Sequence, residues 1–188
     1  MLTNVLLFLI EVSFNLYLYV VVLRLLLQTA LIHFANPFAQ FAGKYTQPMI
    51  GPLQKVFPVF RGIDLAVLMF ALGLEMVKFF LLAVFGSHSL PSADGLLLLS
   101  VADLLRHFST FYFYIILFSI ILRLVALLRY NTLVFTINQL TQPLLRPMRR
   151  IVPIVNGFDL SALVVLVLLQ LFEIVVVRYL MDVGRGLV

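Results

Sequence analysis

The chain contains no cysteine, which removes disulfides, thiolate metal sites and thiol nucleophiles from consideration without identifying a redox compartment. It is also poor in charge. Only 11% of its 188 residues are Asp, Glu, Lys or Arg, against 63% hydrophobic, and its mean hydropathy is +1.14. A water-facing globule carries about 25% charged residues, so this chain lacks the polar surface to cover itself in water and reads as an integral membrane protein. No basic segment opens it: Met1-Leu2-Thr3-Asn4 leads into an apolar run that holds Glu11 and Arg24, so the start does not read as a cleaved signal peptide. Acidic residues are fewer than basic ones, 8 against 13, and in a membrane protein the position of that excess reports orientation.

What the chain does have is long apolar runs. Four are able to cross about 30 Å of hydrocarbon, which takes roughly 20 helical residues: approximately Asn4 to Ile32, Ile63 to Phe85, Phe108 to Leu128 and Phe158 to Leu180. None alternates polar and apolar residues as a barrel strand does, so all four are expected as helices, and the fold class as an all-α polytopic membrane bundle. Between the second and third runs, Leu97, Val101, Leu104, Leu105 and Phe108 oppose Ser100, Asp103, Arg106 and His107. That pattern predicts an amphipathic helix over 96–107 on the outer surface, too short to be a fifth span.

The block Thr46-Gln47-Pro48 to Gly62-Ile63-Asp64-Leu65 recurs without a gap 95 residues later, as Thr141-Gln142-Pro143 to Gly157-Phe158-Asp159-Leu160. Pro48, Pro52, Pro58, Gly62 and Asp64 match Pro143, Pro147, Pro153, Gly157 and Asp159, while most apolar residues between them differ. The chain is a tandem duplication, read as repeat one over 1–86, an external loop and amphipathic helix over 87–107, and repeat two over 108–188. Each repeat has two spans, so both copies face the same way, related by an axis along the membrane normal.

The connections inside the repeats carry Lys44, Lys55 and Arg61 in one copy and Arg129, Arg146, Arg149 and Arg150 in the other, with no acidic residue beside them. The positive-inside rule makes both connections cytoplasmic and puts the termini on the periplasmic side. Asn36-Pro37 and Asn131-Thr132 read as helix starts. Phe38, Phe41 and Tyr45 then share one face against Gln40, Lys44 and Gln47, and Leu133, Ile137 and Leu140 oppose Thr136 and Gln139. Both read as short interfacial helices. Beyond each, the spaced prolines exclude one straight helix, leaving a path that lies on the interface or dips back against protein.

The duplicated block, with Thr-Gln-Pro, the spaced prolines and Gly-x-Asp before an apolar span, resembles the YggT (YlmG) family of small multispanning proteins of bacteria and plastids, over about Val20 to Leu82 and Ser119 to Val177. The resemblance implies a bacterial inner membrane or a plastid, and no assigned reaction. It also implies roles in osmotic-stress tolerance, in division and nucleoid distribution, or in assembly of membrane complexes.

Several charged residues stand in or beside the spans. Asp64 and Asp159 sit where a connection turns into a span, as helix N-caps or as partners of Arg24 and Arg123, which occupy matching Leu-Arg-Leu contexts; a carboxylate can serve both roles. Those arginines are 99 residues apart, so the pairing needs connections that differ by about one helical turn. Glu75 and Lys78 share a helical face, and their counterparts are Gln170 and Glu173. Lys78 and Glu173, opposite in sign at equivalent positions, are expected to pair near the pseudo-twofold axis, as packing glue or as part of an ion path. Glu11 and Asn15 form a smaller polar patch, read as an interhelical hydrogen bond.

Other chemistry is scarce. His33, His88 and His107 are placed apart, so no metal-ligand cluster is expected, and no Gly-rich phosphate loop appears. Ser87, His88 and Asp94 lie on a loop without the rigid scaffold a triad needs. The basic residues of the connections, Lys44, Lys55, Arg61, Arg146, Arg149 and Arg150 foremost, suit anionic lipid at about 1 kcal/mol each better than direct contact with nucleic acid. The reading that follows is a non-enzymatic inner-membrane scaffold or assembly factor without cofactor, whose partners are lipids, other membrane proteins or further copies of itself. The alternative is a small oligomeric transporter or channel for ions or osmolytes.

Overall fold

The computed structural model describes residues 2–30, 32, 36–60, 62–86, 92–124, 132–152 and 159–187. The chain folds as an all-α polytopic bundle. Its elements in order are α1 (Leu2–Thr29), α2 (Pro37–Gln54), a hairpin of β1 (Val59–Phe60) and β2 (Ile63–Asp64), α3 (Leu65–Phe85), α4 (Ala93–Leu124), α5 (Thr132–Met148), α6 (Leu160–Phe172), a π turn (Glu173–Val177) and α7 (Arg178–Gly186). Four helical stretches are long and apolar enough to cross a membrane: Leu2–Thr29, Leu65–Phe85, Ala93–Leu122 and Leu160–Gly186.

The described residues form two apolar cores, the first completed by Leu104 of α4 and Leu140 of α5 from across the repeat boundary. In the first, Leu18, Val21, Val22 and Leu25 recur at helical spacing on α1 and meet Ala66, Val67 and Ala71 of α3, with Ala42 and Ile50 of α2 packed beneath. In the second, Ile116 of α4, Leu145 of α5 and Ala162, Val165 and Leu166 of α6 take the same parts. Lipid is as apolar as leucine, so close packing holds such helices together, and small residues let backbones approach. Gly184 is the sharpest case: a Cβ there would stand 2.9 Å from Leu99 Cγ, so the α4–α7 crossing requires glycine.

The third span differs from expectation. Residues 96–107 form no separate surface helix but the first half of one continuous α4, and Ser100, Asp103 and His107 are buried on it. Nothing interrupts the helix between His107 and Phe108, and the polar stripe that suggested a water-facing surface instead faces α3. α4 is the centre of the molecule, packed on α1, α3, α5, α6 and α7.

The connections differ too. Each is one helix that runs through its first two prolines, Pro48 and Pro52 in α2 and Pro143 and Pro147 in α5. These prolines lie on the exposed side, where a carbonyl that loses its N–H partner can be satisfied from outside, while Ala42, Thr46 and Ile50 anchor the opposite side of α2 at four-residue spacing. Asn36 caps α2 by accepting from Phe38 N at 2.9 Å, with Pro37 at the first helical position. The helix stops at Gln54 ahead of Pro58, and the chain reverses in a two-residue hairpin pairing Val59 with Asp64 and Phe60 with Ile63. Gly62, at φ +83°, supplies the left-handed residue that this reversal needs. Asn131, Pro153 and Gly157 lie outside the described residues.

Candidate functional site: a buried charge cluster and two pinned arms

Glu75 is the middle residue of α3 and Lys78 follows one turn on, about 10 Å from Phe85 at 1.5 Å per residue. Both are buried, as are Asp103 and His107 of α4. The Lys78 ammonium lies 2.5 Å from Glu75 Oε2, donates to Asn15 Oδ1 of α1 at 3.1 Å, and reaches across to a very close contact with Asp103 Oδ2. Arg106 holds the other Asp103 oxygen at 2.6 Å. His107 Nδ1 stands 2.9 Å from the Asp103 carbonyl and 3.1 Å from Glu75 Oε1, two acceptors that place the ring proton on that nitrogen. Two carboxylates thus face two cations at mid-span, the arrangement that keeps intramembrane charge from meeting lipid.

This cluster joins the repeats, since α3 belongs to one and α4 to the other. It corrects two expectations. Lys78 does not pair with Glu173; it is taken by Glu75 and Asp103. Nor is His107 remote from other ligands: Glu75, Asp103 and His107 offer ligand atoms within 4.8 Å of one another. Between the two carboxylates, however, sits the Lys78 ammonium, so the chain supplies its own cation there. The sequence signal for Asp103, Arg106 and His107 was present in their shared helical face, but it reads equally as a surface stripe until α4 is seen to be continuous.

At the arm end of the bundle, Arg24 makes no direct ion pair with Asp64. Its guanidinium donates to Thr46 Oγ1 at 2.7 Å and to Gln47 Oε1 at 2.6 Å. Gln47 Nε2 then donates to Gln54 Oε1 at 3.2 Å, and Gln54 Nε2 to Asp64 Oδ2 at 2.6 Å. The other Asp64 oxygen caps α3, accepting from Ala66 N at 3.1 Å and Val67 N at 3.4 Å. An amide relay therefore separates arginine from aspartate, and the Thr-Gln of the repeated motif is what grips Arg24.

In the second repeat Thr141 is buried and donates to the Asn138 carbonyl, while Gln142 is exposed. Asp159 stands at the start of α6 without a cap bond to its backbone and instead accepts Arg149 Nε and Nη2 at 3.1 and 2.6 Å, along with Ser161 Oγ. The Arg123 side chain and all of Arg61 and Arg129 lie outside the described residues, as do Ser87, His33 and His88. Lys44, Lys55, Arg146 and Arg150 are exposed along the arms. The arms also touch each other's repeats: Asn36 Nδ2 donates to Thr136 Oγ1 at 2.6 Å and Gln139 Nε2 to the Ala30 carbonyl at 3.2 Å.

Gln170 is exposed and Glu173 half-buried, with no side-chain hydrogen bond or ion pair to a described residue. Glu11 is exposed on α1 in the same condition, whereas Asn15 is engaged by Lys78. The interhelical hydrogen bond expected of this patch is made by Asn15, which accepts from Lys78 of α3, and not by Glu11.

The family model described as CCB3/YggT matches this chain twice, over residues 3–85 and 98–180. A Vibrio alginolyticus protein described as an uncharacterized protein in the proC 3' region is 40% identical over 164 residues, covering 87% of this chain and 88% of that one. The Escherichia coli K12 protein described as uncharacterized protein YggT is 35% identical over 185 residues, covering 98% and 95%. An uncharacterized Pseudomonas aeruginosa protein is 32% identical over 167 residues, 88% of this chain and 85% of its own. No solved structure matches. Two family matches in tandem account for both halves of the molecule, each with a pinned arm and a pair of spans, and the chain belongs to the CCB3/YggT family.

Proposed function

We propose that this chain is a non-enzymatic scaffold or assembly factor of a bacterial inner membrane. It would present its two arms to the cytoplasmic leaflet and to neighbouring membrane proteins, in the service of osmotic-stress tolerance or of membrane-complex and division organisation. One observation carries the reading. Phe41, Tyr45 and Met49 form an exposed apolar row on α2, continued by Val56, Val59, Phe60 and Ile63 on the hairpin, with Lys44 and Lys55 exposed alongside. Such a row beside lysines suits the boundary between headgroups and acyl chains. The Arg24 bonds to Thr46 and Gln47 fix that surface to the spans, as a scaffold needs and a lipid-only anchor does not.

The second reading, a small oligomeric transporter or channel, is favoured by the mid-span cluster of Glu75, Lys78, Asp103 and His107, because buried ionisable groups commonly mark ion paths. Against it, these charges are neutralised by one another. The test is purification from native membranes after crosslinking, with single cysteines at Lys55 and Asp94 labelled by an impermeant reagent. A stoichiometric membrane-protein partner, with labelling from the periplasm at 94 alone, supports the scaffold and its orientation. A partner-free homo-oligomer that conducts ions in liposomes would overturn it.

A further inference from the structure

The two arms begin 95 residues apart, at Pro37 and Thr132, so their faces compare position by position. One face agrees: Ile50 of α2 enters the first core and Leu145 of α5 the second. The neighbouring face does not. Thr136 and Leu140 are only 3% and 2% exposed, whereas their counterparts Phe41 and Tyr45 are 49% and 54% exposed. The first repeat covers the α5 pair: Asn36 bonds to Thr136, Gln139 bonds to the Ala30 carbonyl, and Leu140 joins the first core. Phe41 and Tyr45, their rings 4.9 Å apart, form an apolar ledge with no earlier repeat to cover it. The receiving side is unmatched as well. On the second half of α4, Leu117, Phe118 and Ile121 are exposed and, with Tyr114 and Tyr19, line an open groove of about 570 Å³. Counted 95 residues back they answer to Val22, Leu23 and Leu26; counted from Arg24 and Arg123, they answer to Leu18, Tyr19 and Val22. In either register α1 is covered there, with Leu18, Val22 and Leu26 buried in the core that Leu140 joins.

We propose that the ledge of one copy seats in the α4 groove of a second copy of this chain, head to tail. The two surfaces are the unused halves of a contact that the chain already makes once, between its own repeats, so a neighbouring copy continues an existing interface. Lys44, exposed beside Tyr45, presents a donor where Gln139 does in the contact already made. Aromatic rings set against Leu117, Phe118 and Ile121 supply close packing, which is what holds helices together in lipid. Joined surfaces that differ on the two partners generate rings or rows of copies and not a twofold pair. The inference goes beyond the scaffold reading: it makes self-assembly the means by which the arms are arrayed, and it leaves Val56, Val59 and Phe60 of the hairpin end to the leaflet.

A photocrosslinking residue at Tyr45, in cells carrying two differently tagged copies at native expression, tests it. The expected product joins position 45 of one copy to residues 114–121 of the other, located by mass spectrometry. Phe118→Ser in the receiving copy should lower that product about tenfold or more, as loss of an aromatic anchor does. Phe41→Ser in the donating copy should lower it likewise, so each half of the contact is tested by itself. Thermal unfolding of both variants in detergent should match the parent, which separates lost docking from lost folding. Products confined to one chain, a crosslink from 45 to the second copy's own Pro37–Gln54, capture of lipid or of another protein alone, or a product indifferent to both variants would each overturn the proposal. Capture of another membrane protein at 45 would leave the scaffold reading standing without self-assembly, and capture of lipid alone would count against both.

Discussion

Arg149 occupies in the second repeat the place Gln54 occupies in the first, and each donates to the aspartate ten residues along, Asp159 or Asp64. One contact is conserved in geometry and changed in charge. The repeats preserve where the arm's last turn is tied to the next span, not the chemistry of the tie.

Arg149→Gln should therefore be tolerated, since the first repeat already uses glutamine, whereas Arg149→Ala should cost about 1 kcal/mol, the discounted worth of a partly exposed charge-assisted bond. Gln54→Ala should cost about 1–2 kcal/mol, because Asp64 is nearly fully buried. Thermal denaturation in detergent reads both. Equal losses for Arg149→Gln and Arg149→Ala would mean that charge, not the hydrogen bond, is what matters there.

Lys78→Met should be among the most damaging single changes in the chain. It leaves Glu75 and Asp103 buried without their shared cation, and breaking such a pair costs about 3–5 kcal/mol. Asp103→Asn should cost less, because Glu75 still neutralises Lys78. The exchange Lys78→Glu with Glu173→Lys should not rescue, since the two side chains do not meet. Recovery of stability in that exchange would restore the cross-axis pair the structure lacks.

Thr46→Val keeps the shape of the side chain but removes the acceptor that holds Arg24. Amide exchange across Pro37–Gln54 should quicken, roughly tenfold for a loss of about 1.4 kcal/mol. Asp64→Asn keeps the cap but turns an amide NH2 toward the Gln54 amide, so it should cost about 1 kcal/mol, and Asp64→Ala, which loses both bonds, should cost about 2 kcal/mol. An effect of Asp64→Asn as large as that of Asp64→Ala would point to a direct charge link with Arg24 in place of the amide relay.

The spans, the duplication and the Asn36 cap were legible because each depends on local pattern: apolar run length, proline spacing, an Asn before a Pro. What escaped was tertiary. The stripe Ser100, Asp103, His107 carries the same periodicity whether it faces water or α3, and only the uninterrupted passage of α4 into the apolar run after Phe108 distinguishes the two. Pro48 and Pro52 looked like helix breakers because local rules count lost donors and not where the freed carbonyls point. Lys78 was assigned to Glu173 from symmetry, but its counterion comes from α4 at a position, Asp103, whose counterpart in the first repeat is the apolar Phe8.

The cluster also has a consequence for biosynthesis. A chain emerges N-terminus first, so α3 reaches the bilayer 25 residues before the Asp103 that completes its counterion set. At ribosomal speed that interval is on the order of seconds, during which a solitary lysine would resist partitioning by about 2.5–3.5 kcal/mol. Glu75, one turn away on the same helix, travels with Lys78 and neutralises it from the outset. The second span thus carries its own escort into the membrane, and the arrival of α4 exchanges a temporary local neutrality for the junction that locks the two halves together.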